Sequence, residues 1–192
     1  MKQNIRIAIW MTLVTTVIFG LLYPLAVTGL GQLFFPSQAN GGLLVKNAQV
    51  VGSRLIGQPF SADRYFHPRP SGAGSGYDPI APSGGATNLG PTNRQLSDRV
   101  KGGVEKLHAE NPGAPVPVDL VTSSGSGLDP DISPVAAEFQ MPRVARARGM
   151  RPDDLRLLVA KHTQGRQFGF LGEPRVNVLE LNLELDETHP TH

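Results

Sequence analysis

From Ile7 to Val45 the chain carries no charged residue, and its first part, Ile7 to Leu30, is almost wholly apolar. The physical home of such a stretch is the hydrocarbon core of a bilayer. About 24 helical residues rise about 36 Å, enough to cross a core of about 30 Å with some tilt. Everything that follows is polar, rich in Gly and Pro, and the right size for one water-facing domain. Lys2 and Arg6 precede the run. Positive flanks stay cytoplasmic, so the N-terminus is expected inside and the domain outside. The alternative is a cleaved secretory signal, whose apolar region spans about 7–15 residues before a small-residue cleavage site. This run is longer, and Ala26-Val27-Thr28 is a poor cleavage match.

The span has internal features. Pro24 removes one helical hydrogen bond and predicts a kink near Tyr23-Pro24. Gly20, Thr28, Gly29 and Gly31 are small enough to let another helix approach. Trp10 and Tyr23 are candidate interfacial anchors.

Composition narrows the class of what lies beyond. The whole chain holds 22 Gly and 17 Pro, which predicts many turns and much irregular structure. The net charge is +2 with both signs interspersed, which excludes a nucleic-acid footprint. There is no Cys, which is compatible with a periplasmic location without proving it.

Phe35 to Gly42 reads as the exit from the membrane. Strands are expected over Leu43–Val51 and around Leu55-Ile56-Gly57-Gln58. A long loop dense in Gly, Pro and Ser runs from Tyr65 to Pro91; such loops are functional, interface-forming or disordered. Thr92 or Asn93 caps a helix to Glu110, with Leu96, Val100, Val104 and Leu107 on one face. Val116–Thr122 reads as a short strand and Ser123–Ser133 as a loop. Ser133-Pro134 starts a helix that Gly149 stops and Pro142 is expected to break. A further helix spans Pro152 to His162, and Gln164–Arg175 is a loop. Val176–Leu185 alternates apolar with polar and reads as the last strand. The mix predicts an α/β or α+β domain with a small sheet and long Gly/Pro-rich loops.

Several motifs invite a chemical reading. Gly85–Thr92 has the glycine spacing of a phosphate-binding loop and precedes a helix. Pro91, however, stands where that motif needs Lys, and supplies neither charge nor N–H. Ser123–Pro130 sets serines among glycines, but the spacing of a hydrolase elbow is absent. Ser126, Asp129 and His162 make a nominal triad of common residue types. The plainer reading is a loop whose hydroxyls and Asp129 satisfy backbone donors. His162 suits a helix C-terminus. No pair among His67, His108 and His162 has metal-ligand spacing, so no metal site is expected. His189 and His192 lie in a polar tail expected to be disordered. Arg143, Arg146 and Arg148 recur near one helix end, where solvation is the default expectation.

Taken together, motifs in order say more than any alone. Tyr23-Pro24-Leu25-Ala26-Val27-Thr28-Gly29, Gly52–Gln58, Tyr65–Ser71, Ser83–Asn93, Ser124–Pro130, His162–Arg166 and Leu171–Val178 follow one another. The series resembles the KdpC family, the C subunit of the bacterial high-affinity potassium-transporting P-type ATPase, from the membrane run to Leu185. The resemblance implies a non-enzymatic accessory subunit of a four-part inner-membrane complex. Its partners would be a potassium-conducting A subunit, an ATP-hydrolysing B subunit and a small F subunit. It also implies a catalytic chaperone that raises the ATP affinity of the B subunit. ATP and potassium are then handled by the complex, with no cofactor bound directly by this chain.

The implied layout is a cytoplasmic N-terminus (1–6), a membrane span (7–31), a periplasmic domain (32–186) and a tail (187–192). An outer domain cannot touch cytoplasmic ATP, so any such effect must travel by allosteric coupling. The residues expected to form the partner interface or hold the motif loops are Tyr23, Pro24, Gly29, Tyr65, Phe66, Arg69, Asn88, Asn93, Ser126, Asp129, His162, Arg166 and Arg175. The rival readings are a membrane-anchored periplasmic serine hydrolase using Ser126, Asp129 and His162, and a nucleotide-binding protein using the Gly85–Thr92 loop.

Overall fold

The structure is a computed structural model that describes residues 1–78, 80 and 86–190. It divides into two compact units, Met1–Val51 and Gly52–His192.

The first unit is dominated by one helix long and apolar enough to cross a membrane, Lys2–Phe34. It has three parts: α1 (Lys2–Thr15), a π-helical turn (Thr16–Leu22) and α2 (Tyr23–Phe34). The expected irregularity at Tyr23-Pro24 takes the form of this widened turn, which ends at Leu22, with Tyr23 between it and the proline. A proline ring collides with the carbonyl four residues back in a regular α-helix, and a wider turn relieves the clash. A one-turn helix, α3 (Pro36–Ala39), follows. Asn40 closes it by donating to the carbonyl of Pro36 and to Gln32. The strand expected over Leu43–Val51 is instead a hairpin, β1 (Leu43–Lys46) and β2 (Gln49–Ser53). Its turn residues Asn47 and Ala48 both have positive φ (50° and 62°), the conformation a tight two-residue hairpin requires.

In the second unit, α4 (Arg94–Glu110) begins where expected. The Asn93 side chain accepts from Gln95 N–H, and Leu96, Val100, Val104 and Leu107 form its half-buried face. The unit then builds β3 (Asp131–Ile132), α5 (Pro134–Arg148), α6 (Pro152–His162), β4 (Thr163–Gln164), β5 (Arg175–Asn177) and α7 (Val178–Thr188). β5 is the centre of an antiparallel three-stranded sheet in the order β3-β5-β4, with Ile132 and Thr163 flanking Val176. The core lies between this sheet and α5, α6 and α7. Ile132, Val144, Leu155, Val176, Leu181, Leu185 and the loop residue Phe66 are at most 2 % exposed. The described part is thus an α+β domain with a very small sheet.

Four expectations are corrected. The last segment is a strand only to Asn177; the rest, expected as strand to Leu185, is helix α7. Buried Val178, Leu181 and Leu185 have helical spacing, and Asn177 caps the helix by accepting from Glu180 N–H. Val116–Thr122 is not a strand but a 3₁₀ turn at Val118–Leu120. Pro115 and Pro117 deprive that stretch of ladder donors. Leu55–Gln58 makes only a single bridge, Ser53 to Ile56. Pro142 does not break α5. Pro142 and Glu138, whose carbonyl loses its donor, both face solvent, so water satisfies the orphaned oxygen. At the other end, α7 takes in Glu187 and Thr188, the start of the expected tail; His192 lies outside the described residues.

Asn177 is 5 % exposed, and besides capping α7 it donates to the carbonyl of Arg54 (3.0 Å) and to Asp131 (3.2 Å). Asn177→Ala should therefore cost more than a lone cap, about 2 kcal/mol, in denaturant unfolding of the full chain in detergent.

Candidate functional site

Of the residues singled out by the sequence, Tyr65, Phe66, Arg69, Ser126 and Asp129 lie in a layer of loops held against α5 and α7. The first piece of this layer, Asp63 to His67, begins in a turn closed by Tyr65 N–H on the Ala62 carbonyl, and pairs with no strand among the described residues. Side chains take that place. Arg143 on α5 donates to the carbonyls of Asp63 (2.7 Å) and Tyr65 (2.9 Å). Arg148, one helical turn on, donates to that of Arg64 (2.6 Å). Asn182 on α7 accepts from Phe66 N–H and donates to its carbonyl, both at 2.9 Å. Gln140 does the same for His67, at 2.8 and 3.0 Å. Five consecutive carbonyls are thus satisfied by side chains. Gln140 and Asn182 are each 1 % exposed, and an amide carries the donor-acceptor pair that mimics a neighbouring strand.

The expectation that Arg143 and Arg148 are merely solvated is overturned; only Arg146 is exposed. Arg143 also pairs with Glu110 of α4 (2.7 Å) and with Gln140 (2.6 Å). The Arg148 side chain is fully buried against Asp186 (2.8 Å). Its guanidinium lies 5.0 Å from the centre of the Tyr65 ring, whose hydroxyl donates to the same Asp186 carboxylate (2.9 Å). The His67 ring sits between the Ala62 carbonyl and Arg143. Burial, and then the adjacent guanidinium, lowers its pKa, so it stands there as neutral imidazole.

The second loop group is joined to the first. Arg69 pairs with Asp129 at 2.8 Å. Ser71 Oγ donates to the Gly127 carbonyl (2.7 Å) and accepts from the N–H groups of Ala73 and Tyr77. Tyr77 donates its hydroxyl to the Arg69 carbonyl at 2.6 Å. Burial, with Asp129 nearby, raises its pKa and keeps it a neutral donor. Gly57 N–H donates to the Leu128 carbonyl at 2.8 Å. A Cβ on Gly57 would collide with the Tyr77 ring and lie 2.6 Å from the Asp129 carbonyl, so the close approach requires glycine there.

An open cleft of about 320 Å³ lies beside Arg69, Asp119, Asp129, Asp131, Glu173 and Arg175. Its aspartates are already engaged. Asp119 accepts from Ser133 N–H and Oγ, Asp129 from Arg69 and Asp131 N–H, and Asp131 from Arg175 and Asn177. Burial raises the Asp131 pKa, with Arg175 opposing the shift.

The nominal triad is not assembled. Ser126 Oγ accepts from Leu128 N–H, Asp129 holds Arg69, and His162 binds Glu184 at 2.6 Å. Among the described residues none of the three is hydrogen-bonded to another. Arg166 pairs with Glu173 across an exposed turn that carries Phe168 and Phe170. In the phosphate-loop-like motif, Gly85 lies outside the described residues, as do Ser83 and Gly84. Asn88 has a left-handed φ of 51°, and the motif runs into the Asn93 cap. Tyr23, Pro24 and Gly29 belong to the long helix of the first unit.

The arginines and amides that do most of the holding lacked a sequence signal that separated them from surface residues. The signal that did exist was helical spacing: Gln140 and Arg143 are three apart, and Asn182 and Asp186 four apart, so each pair shares a helix face.

Two outcomes follow. Asn182→Leu and Gln140→Leu keep bulk but leave a buried N–H and C=O unpaired; each should cost about 1–3 kcal/mol and expose the 61–71 segment to protease first. The Lys161 hydrogen bond, then that from His162, lowers the Glu184 pKa below 4.5, with burial opposing. The stabilisation is present above the unfolded-state pKa and is lost as pH falls through the lower folded one. Glu184→Gln should therefore flatten the acid limb of a Tm–pH curve below about pH 4.5 and leave the neutral-to-basic part parallel to the wild type.

The family described as "KdpC: K+-transporting ATPase, c chain" matches residues 5–187. A Koribacter versatilis protein named potassium-transporting ATPase KdpC subunit is 60 % identical over 190 residues, covering 99 % of this chain and 97 % of its own. Proteins of the same name from Rhodopseudomonas palustris (strain BisB5) and Methylobacterium nodulans are 57 % and 56 % identical. These matches cover 98 % and 97 % of this chain, and 98 % of each relative. A match that runs through the long apolar helix, both loop groups and the final helix places the chain in the KdpC family, the c chain of potassium-transporting ATPases, as an accessory subunit of potassium uptake.

Proposed function

We propose that the chain assembles and stabilises the potassium-transporting ATPase from the outer face of the inner membrane. Its helix spans the bilayer with residues 1–6 in the cytoplasm, and the domain beyond covers the potassium entrance of the A subunit. The observation that carries this reading is the use to which the motif loops are put. Tyr65–Tyr77 and Ser123–Pro130 spend their polar groups on one another, on α5 and on α7, which fits a rigid docking body. The residues a hydrolase would need are committed elsewhere: Ser126 to Leu128 N–H, Asp129 to Arg69 and His162 to Glu184.

Orientation is supported by Lys2 and Arg6 ahead of the uncharged run. Tyr23, Pro24 and Gly29 then face the A subunit within the bilayer. Asn88, Asn93, Arg166 and Arg175 belong to the outer docking surface. The B and F subunits complete the assembly. An effect on the ATP affinity of the B subunit is indirect, because the domain and the nucleotide are on opposite sides of the membrane; the helix is the part of this chain that crosses toward the nucleotide side.

The test is removal of the chain. The remaining subunits, purified in mild detergent, should assemble poorly or lose potassium-stimulated ATP hydrolysis, with a raised KM for ATP. A fully assembled complex with normal potassium stimulation would overturn the reading. Labelling of a C-terminal tag from the cytoplasmic side would overturn the orientation.

A further inference from the structure

The long helix contains a break in its own hydrogen bonding. At the end of the π-helical turn, Tyr23 N–H donates to the Ile18 carbonyl, five residues back. The next donor belongs to residue 24. In the π register it would serve Phe19, and in the α register Gly20. Residue 24 is proline and has no N–H. At least one of these two carbonyls is therefore left without a backbone donor, and no described side chain is bonded to either. The turn occupies the middle third of a helix that runs from Lys2 to Phe34. In water such an oxygen is hydrated at little cost. In a hydrocarbon core it is not, and structures that span membranes satisfy every backbone polar group.

The surface at this level is open. A Cβ on Gly20 would meet only Thr16 Cγ2, at an ordinary 3.7 Å, so nothing inside the chain demands glycine there. Its missing side chain leaves the turn back to Thr16 uncovered, on the N-terminal side of the orphaned oxygen. Thr16, one turn earlier, lies on the same face and adds little bulk. The second feature agrees with the first: a helix can approach closely at Thr16 and Gly20, within side-chain reach of the acceptor that lacks its donor.

We infer that the Thr16–Gly20 face is the seat of a transmembrane helix from another subunit, which donates a side-chain hydrogen bond to the Phe19 or Gly20 carbonyl. The occupant has a stated chemistry. It is apolar overall and presents a Ser, Thr, Asn or Gln near the bilayer midplane, since these residues bond across helices in lipid. A lipid chain has no donor to offer. A second copy of this chain would bring the same acceptor and only Thr16 as a donor on this face, whereas the ATPase to which the family belongs supplies other membrane subunits. The inference rests on the proposed membrane placement of the helix and adds which face is used and what meets it.

The chain has no cysteine, so single replacements can be labelled cleanly with a thiol-directed photocrosslinker in the assembled complex. Thr16→Cys should crosslink to a membrane subunit of the ATPase; Ile18→Cys, on the opposite side of the turn, should not. Pro24→Ala restores the missing donor and Gly20→Leu fills the open face beside Thr16, while both keep the helix apolar. Each should weaken retention of the chain in detergent-solubilised complex roughly 3- to 20-fold, the range expected for one interhelical hydrogen bond. Equal crosslinking from both positions, a product of two copies of this chain, or wild-type retention of both variants would overturn the inference. Should removal of the whole chain abolish assembly while these variants assemble normally, the subunit reading stands and this inference alone falls.

Discussion

The domain depends on the capture of a single loop segment by side chains. Asp63 to His67 brings Phe66 into the core, where it is 0 % exposed, and in doing so drags peptide groups away from water. Burial of Phe66 is favourable only if those groups find partners, since each orphan would cost about as much as a good apolar contact contributes. Two amides and two guanidiniums provide them, and three of the four come from one helix, α5. The helix that packs the sheet is therefore also the template for a loop. The second loop group is joined to this segment through Arg69, Ser71 and Tyr77, which follow it in the chain.

This arrangement explains how a domain with strands of two and three residues holds a definite shape. Sheet ladders are short here, and loops dense in proline cannot donate to them. The missing order is supplied by polar side chains of fixed reach. Arg143 joins α4, α5 and the captured loop segment through Glu110, Gln140 and two carbonyls. Arg148 joins α5, α7 and Tyr65 through Asp186. Such buried charges are tolerable because each is paired and hydrogen-bonded on several sides.

Much of the architecture was legible beforehand. The uncharged run, the helix from Asn93, the helix from Ser133-Pro134 and its Gly149 stop were each marked by local signals that act alone: absence of charge, a capping side chain, a left-handed stop. What was missed had conflicting local signals. Val178 to Leu185 satisfies both a two-residue and a three-to-four-residue period, and Asn177 with Glu180 was the tie-breaker. Pro142 reads as a break unless one knows that its side of the helix is wet. The site was legible as a set of loops but not as a mechanism of holding. Tyr65, Phe66, Arg69 and Asp129 were picked out, whereas Gln140, Arg143, Arg148 and Asn182 look like ordinary helix-surface residues until the segment they grip is placed beside them.

The widened turn before Pro24 has a mechanical meaning as well. Bending stiffness in a helix comes from its rows of backbone hydrogen bonds, and here one row is interrupted. The rods on either side, Lys2–Thr15 and Tyr23–Phe34, keep theirs. Load applied at one end is then transmitted along each rod and absorbed at the joint, so the two halves can hold different tilts. Placed across a membrane as proposed, a subunit built this way would follow its neighbours on both sides without transmitting every movement from one to the other.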